Sequence, residues 1–234
     1  MRFILAIAGA TLCASACGSP SRPTDAEPPD RSDVVDALFF GSGPLAHVDR
    51  DCPAPDKWPS YPRGSAIALV LAPSVDAAGE QALGNAVGDI NEVVNGRFRI
   101  GIERTSTVDP LPGPLQITST DVADAQVRAL CSPGASGCTR VLFSFSGDGV
   151  MAGARSIQRI GTSTRLKVHE FGHAVGLCHI DPVRVPDVVM APSPGALSQD
   201  RFSRPELEAI RAVYAAGLEP GATREDFRRA GLIR

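Results

Sequence analysis

Residues 169–179 read His-Glu-Phe-Gly-His-Ala-Val-Gly-Leu-Cys-His and contain three of the four histidines in this 234-residue chain. His169 and His173 are four positions apart, so on a helix they project from the same face. Two imidazoles at that spacing can share one tetrahedral metal ion, and His179 offers a third nitrogen. Gly176 lacks a Cβ and can adopt the left-handed conformation that ends a helix and turns the chain back. The segment therefore predicts a three-histidine metal site.

Glu170 directly follows the first of these histidines, where its carboxylate can take a proton from a metal-bound water. For a bare His-Glu-x-x-His pattern the alternative is a helix whose histidines are only solvated or form caps. Two histidines and one glutamate can coincide by chance. The added glycine and third histidine at fixed offsets argue against such a coincidence.

The complete pattern H-E-x-x-H-x-x-G-x-x-H resembles that of the metzincin zinc peptidases. The resemblance implies an α+β, zincin-like catalytic domain with a twisted mixed β-sheet, two long helices and a C-terminal helix. It also implies Zn²⁺ as cofactor, His169, His173 and His179 as its ligands, and Glu170 as the base of a metalloendopeptidase. The partner is then a protein or peptide substrate that pairs with an edge strand, for which residues 150–156 are the candidate.

Residues after the third histidine resemble the matrixin branch of the metzincins. Metzincins place a methionine in a tight turn beneath the ligands, and Met190 lies eleven residues past His179. Pro192 matches a matrixin proline that helps to wall the pocket for the residue after the cut bond. Ordinary core packing is the alternative for Met190, because methionine fills gaps well.

Residues 197–200, Leu-Ser-Gln-Asp, resemble the opening of the matrixin C-terminal helix. Ser203 and Glu206 form a capping-box pattern, which predicts a helix over residues 204–216. Its apolar face is expected to pack under the metal-binding helix and comprises Leu207, Ile210, Val213 and Tyr214.

Upstream of the motif, apolar patterns predict an alternation of strands and helices within a catalytic domain of residues 65–234. Strands are predicted at 65–71, 97–103, 115–118 and 139–145, and a helix capped by Asp76 is predicted to run to about Asn95. Residues 121–130 fit either a short helix or an extended segment. Thr162 or Ser163 caps the metal-binding helix. Residues 34–64 are predicted to be irregular, because proline and glycine break every apolar run.

The N-terminus has the features of an export signal. Residues 1–16 combine an early arginine, a short apolar run and a small-residue site, which is typical of a secretory signal peptide. The following Cys17 resembles the lipid-modified cysteine of bacterial lipoproteins, and simple cleavage after Ala16 is the alternative. Residues 17–33 are rich in proline and polar residues and are predicted to form a disordered tether. The expected location is the outer membrane or cell surface, or otherwise a secreted or periplasmic form.

Export makes disulfides the expected state of the remaining cysteines. Cys131 and Cys138 bracket a small loop and are predicted to close it, which leaves Cys52 and Cys178 for each other. A rival interpretation is that Cys52-Pro-Ala-Pro-Asp resembles part of the matrixin propeptide, whose thiolate caps the zinc and imposes latency.

The overall composition limits the partners of the chain. A net charge of −3 gives no reason to expect nucleic acid, and any membrane association is predicted to depend on the lipid anchor alone. We expect a monomer. The alternatives are a non-catalytic, zinc-stabilised binding module at the cell surface and an intracellular zinc protein, which the export signal and the cysteine count disfavour.

Overall fold

The computed structural model of the chain describes residues 28–47, 52, 56–144, 148–192 and 200–234. The predicted signal segment at 1–16, Cys17 and residues 18–27 of the tether lie outside the described residues, as do residues 197–199 of the matrixin-like stretch.

The described part of the chain forms six helices and one five-stranded sheet. The helices are α1 (Arg31–Phe40), α2 (Ala77–Val93), α3 (Asp124–Leu130), α4 (Thr164–Ala174), α5 (Arg204–Ala215) and α6 (Arg224–Arg229). The strands are β1 (Ser65–Leu71), β2 (Phe98–Arg104), β3 (Gln116–Val122), β4 (Gly137–Phe143) and β5 (Met151–Arg159). This architecture is compatible with the α+β class expected from the sequence.

The sheet is mixed, with strand order β2-β1-β3-β5-β4. All neighbouring strands run parallel except β4, which is antiparallel to β5. The prediction that residues 150–156 form the edge was wrong, because β5 pairs on one side with β3 and on the other with β4. The strand that ends the sheet next to β5 is therefore β4.

Helix α1 corrects the prediction of an irregular segment at 34–64 and of a tether extending to residue 33. Its N-cap Asp30 accepts a hydrogen bond from the Ser32 amide at 2.8 Å, and Gly41 ends it with φ +56°. Apolar residues on all sides of α1 are buried, and Asp36 is compensated by an ion pair with Arg224. A helix that is buried all round has no apolar stripe to reveal it in the sequence.

Most of the other predicted elements are confirmed. Asp76 caps α2 and Ser163 caps α4, while residues 121–130 contain both the end of β3 and the helix α3. Helix α5 has the predicted capping box but packs mainly against α1 and α2, and not mainly under α4 as predicted.

Helix α4 contacts the strands β4 and β5 and the helix α2, which itself contacts β2. Gly79 of α2 allows the Lys167 stem to pass close by, and the Lys167 ammonium pairs with Asp121 at the end of β3. These contacts fix α4 relative to the edge of the sheet. Among the residues that the structure describes, no helix has the length and apolar character needed to span a membrane.

Candidate metal centre

Helix α4, which carries His169 and His173, begins and ends at sites that its sequence encodes. The Ser163 hydroxyl accepts from the Leu166 amide at 3.4 Å, and residues 165–174 are all buried. After the helix, Gly176 adopts φ +91°, and its amide donates to the His173 carbonyl at 2.9 Å while the Leu177 amide donates to Gly172 at 3.0 Å. This is a Schellman ending, and it turns the chain back toward the histidine face.

Gly176 is required for two reasons. Its positive φ strains any residue with a side chain, and a Cβ there would lie 2.7 Å from the Pro59 carbonyl oxygen. The predicted role of this glycine in leaving the helix is confirmed.

The three predicted ligands come together in a buried cluster. The Nε2 atom of His179 lies 3.0 Å from Nε2 of His173 and 3.1 Å from Nε2 of His169. Around a tetrahedral zinc with Zn–N distances of about 2.0–2.1 Å, the nitrogens would be separated by roughly 3.3 Å. The spacing therefore fits one metal ion between the three rings.

In His169 and His173, the hydrogen bond that Nδ1 makes shows that Nε2 is the nitrogen available to a metal. His169 Nδ1 lies 2.8 Å from the Val189 carbonyl oxygen, and His173 Nδ1 lies 2.7 Å from that of Leu177. Because a carbonyl oxygen can only accept, each Nδ1 donates, and in the neutral ring Nε2 keeps its lone pair. Two lone pairs and the His179 nitrogen converge on one point, which is a stable arrangement around a cation.

The electrostatics favour neutral imidazoles. Burial, followed by the neighbouring His173 and His179, lowers the pKa of His169 well below its ordinary value. Burial, followed by His173 and His47, lowers the pKa of His179 to about 3. Neutral rings are the form that binds metal, so His169 and His179 could bind a metal ion without first losing protons at neutral pH.

Glu170 lies on the same helix, and its side chain is turned toward the edge strand. It is 3% exposed, and its Oε2 atom accepts a hydrogen bond from the Thr139 hydroxyl at 2.8 Å. Thr139 belongs to β4, so a carboxylate on α4 is held by the strand that ends the sheet.

Met190 lies beneath α4. Its sulfur occupies the space left by the missing side chain of Gly172, the residue before His173. The Val189 and Met190 amides both donate to the buried Glu206 carboxylate, at 3.2 and 2.9 Å. The same Val189 carbonyl orients His169, so the turn at Met190 links α5 to a predicted ligand.

The third histidine lies in a loop that several distant segments hold. The Cys178 amide donates to the Leu38 carbonyl at 2.7 Å, and the Ile180 amide donates to that of Met190 at 2.9 Å. Cys52 and Cys178 are joined at disulfide distance, as are Cys131 and Cys138. The Cys52 sulfur is therefore bonded to Cys178. In this structure it is not a free thiolate of the kind that caps the zinc in the matrixin propeptide.

Two predicted site residues remain untested by this geometry. Cys17 lies outside the described residues, and Pro192 is half-buried immediately before residues 193–199, which are also outside them. The pocket role of Pro192 therefore stays a prediction. The two disulfide pairs are typical of an oxidising compartment.

Sequence reasoning did not identify three contributors to the site: Thr139, Ser156 and the second role of Glu206. The capping-box pattern located Glu206 at the start of α5, but nothing in it indicated that the same carboxylate also holds the Met190 turn. Thr139 and Ser156 carry no motif, because their contact with α4 depends on the order of the strands.

Comparisons with known proteins do not assign the chain to a family. A scan against models of protein families finds no match, and a search of curated proteins finds none either. Any functional conclusion therefore depends on the motif and on the geometry of the site.

Proposed function

We propose that the protein is a zinc-dependent endopeptidase. The observation that carries the proposal is the convergence of three buried imidazole nitrogens beside a glutamate on the same helix. Three nitrogen ligands suit zinc, and a catalytic zinc site keeps its fourth position for water or substrate. His169, His173 and His179 would hold the ion.

Several features support a metzincin-like, zincin-type fold of the matrixin kind. Met190 packs under α4 next to the histidines, the Gly176 turn brings His179 back toward α4, and an antiparallel edge strand lies beside the metal-binding helix. Each corresponds to what the sequence resemblance implies. We propose this fold family on their combination.

In the proposed reaction Glu170 acts as the general base and then as a general acid. When bound, zinc would polarise the scissile carbonyl and lower the pKa of the attacking water. Glu170 accepts a proton from that water as it attacks, and later donates it to the leaving amine. The burial of the glutamate keeps the proton exchange away from bulk solvent.

The substrate is proposed to be an extended peptide bound along β4. This strand ends the sheet, and Leu142 and Phe143 near its C-terminal end are partly exposed. Main-chain hydrogen bonds to such a strand hold peptides of many sequences, while side-chain pockets provide selectivity. We propose a monomeric exported enzyme, either anchored through Cys17 at the outer membrane or cell surface, or secreted.

Metal analysis and a peptide-library digest test the proposal. We expect one zinc per chain and cleavage that a chelator abolishes. Glu170→Gln should keep the zinc and lose at least about 1,000-fold in kcat, because the proton acceptor is removed. Zinc binding without any cleavage by the unaltered protein would instead identify the non-catalytic binding module.

A further inference from the structure

Two hydroxyl groups on the sheet converge on Glu170. The Thr139 hydroxyl oxygen lies 2.8 Å from Glu170 Oε2 and 2.8 Å from the Glu170 carbonyl oxygen. The Ser156 hydroxyl lies 2.9 Å from that of Thr139 and 3.4 Å from the same carbonyl. Thr139 is on β4 and Ser156 is its partner on β5. The contact therefore depends on both strands.

The available protons define a direction for this network. Each hydroxyl has one hydrogen to donate, whereas a carboxylate and a carbonyl can only accept. The shorter of the two Ser156 contacts directs its hydrogen to Thr139, and Thr139 is then left to donate to Glu170. A hydrogen bond to an ionised carboxylate is about twice as strong as a neutral one, so the carboxylate is the preferred acceptor.

The backbone of β4 also limits where the carboxylate can lie. Gly137 is two residues before Thr139 and faces the same side of the strand. A Cβ at Gly137 would lie 3.1 Å from Glu170 Oε1 and 2.9 Å from the Ile157 carbonyl oxygen. The missing side chain leaves the space that the carboxylate occupies, and Thr139 supplies the hydrogen bond.

We propose that Thr139 is a positioning residue for Glu170. Its hydroxyl, oriented by Ser156, holds the carboxylate in the rotamer in which it acts as general base. The inference rests on the proposed peptidase function for its catalytic consequence, and on the geometry of β4 and α4 for its structural part. It also assigns the edge strand a second task besides pairing with substrate.

Replacement of Thr139 by valine removes the hydroxyl with little change in shape. We expect Thr139→Val to bind a full equivalent of zinc and to unfold at the wild-type midpoint, with kcat lower by about 10- to 100-fold and KM within about twofold. Thr139→Ser keeps the hydroxyl and should restore most of kcat. A role limited to folding would not separate kcat from KM in this way.

Thr118→Val is the matched control. Thr118 lies on β3, is buried, and its hydroxyl has no hydrogen-bond partner among the described residues. Its replacement by valine should leave kcat and KM unchanged. An equal loss in the Thr118 and Thr139 variants would overturn the proposal.

Crystal structures of the zinc-loaded wild type and Thr139→Val provide a readout that does not depend on activity. We expect the Glu170 carboxylate to leave its position in the variant. A carboxylate that stays in place, or a variant with the wild-type kcat, overturns the proposal. If the wild-type protein cleaves no peptide, the peptidase function fails, and the crystallographic comparison still decides the role of Thr139.

Discussion

The two halves of the histidine cluster are held in different ways. His169 and His173 are on one helix, so their relative position is set by local backbone geometry. His179 is on a loop whose amides bond to α1 and to the Met190 turn, and whose neighbour Cys178 is linked to Cys52. The helix half is a local structure, whereas the loop half is assembled from segments far apart in the chain.

This difference indicates where the site is vulnerable. A helical pair survives as long as α4 does, and α4 is buried along almost its whole length. The position of His179 depends on contacts whose sequence separation makes them costly to form. We therefore expect perturbations of the loop half to reduce metal affinity more than comparable perturbations elsewhere.

Removal of the Cys52–Cys178 disulfide should have the largest effect. Its two cysteines are separated by 126 positions in the sequence, whereas Cys131 and Cys138 are separated by 7. Chain-entropy arguments give about 5 kcal/mol of stabilisation for the long loop and about 2.5 kcal/mol for the short one. Urea denaturation of the Cys52→Ser/Cys178→Ser double variant measures the loss.

The Cys131→Ser/Cys138→Ser double variant is the control for this comparison. It should lose less stability and keep its zinc affinity, because its loop is not next to a ligand. Zinc affinity in a competition titration should fall only in the Cys52/Cys178 variant. Equal losses of affinity in both variants would show that the third ligand does not depend on the N-terminal segment.

Glu206→Gln should have the next largest effect and acts on the helix half. Its carboxylate accepts from three amides, those of Val189, Met190 and Ser203. Glutamine has only one acceptor oxygen, and its NH2 group would face a backbone N–H, so we expect the folded state to lose about 2 kcal/mol of stability. The same change should loosen the Val189 carbonyl that orients His169. We expect about tenfold weaker zinc binding.

Glu208→Gln is the control on the same helix. Glu208 is partly exposed and pairs with Arg204 on the surface, so its change should alter stability by less than about 1 kcal/mol. If both variants bind zinc as the wild type does, the Met190 turn does not support the site.

Acid should destabilise the metal-free protein by a smaller amount. The pKa values of His169 and His179 are lowered in the folded state, so below the ordinary value of 6.5 the unfolded chain binds more protons. Stability is therefore lost as the pH falls from 6.5 toward about 3. Between pH 6.5 and roughly 5 the loss from His179 is on the order of 1–2 kcal/mol.

Urea midpoints of the chelator-treated protein at the two pH values measure this loss. His179→Asn removes the contribution of His179, so the urea midpoint of this variant should fall less on acidification than that of the wild type. An unchanged midpoint on acidification would mean that the two rings take up protons in the folded protein as they do in the unfolded chain.

Much of the fold followed from local patterns. The Asp76 cap of α2, the Ser163 cap of α4 and the capping box of α5 were predicted because a cap depends on residues within one turn. Helix α1 was missed because its apolar residues surround the helix and proline-rich segments flank it. Its burial is a property of the assembled core.

The order of the strands in the sheet was the other feature that could not be predicted from the sequence. The sequence predicted residues 150–156 as the edge, but β5 inserts between β3 and β4. Alternation along a strand shows which side chains share a face, whereas the neighbours of the strand depend on long-range pairing. The role of Thr139 could not be predicted for the same reason, because its partner Glu170 is 31 residues further along the chain.

The sequence by itself determined the spacing of His169 and His173, the glycine that ends their helix and the glutamate between them. These are local features, set by helical periodicity and by the conformational freedom of Gly176. Only the tertiary structure decided which carbonyls orient the rings, what holds the third histidine, and that a strand hydroxyl restrains Glu170. Those contacts join residues whose meeting depends on how the whole chain packs.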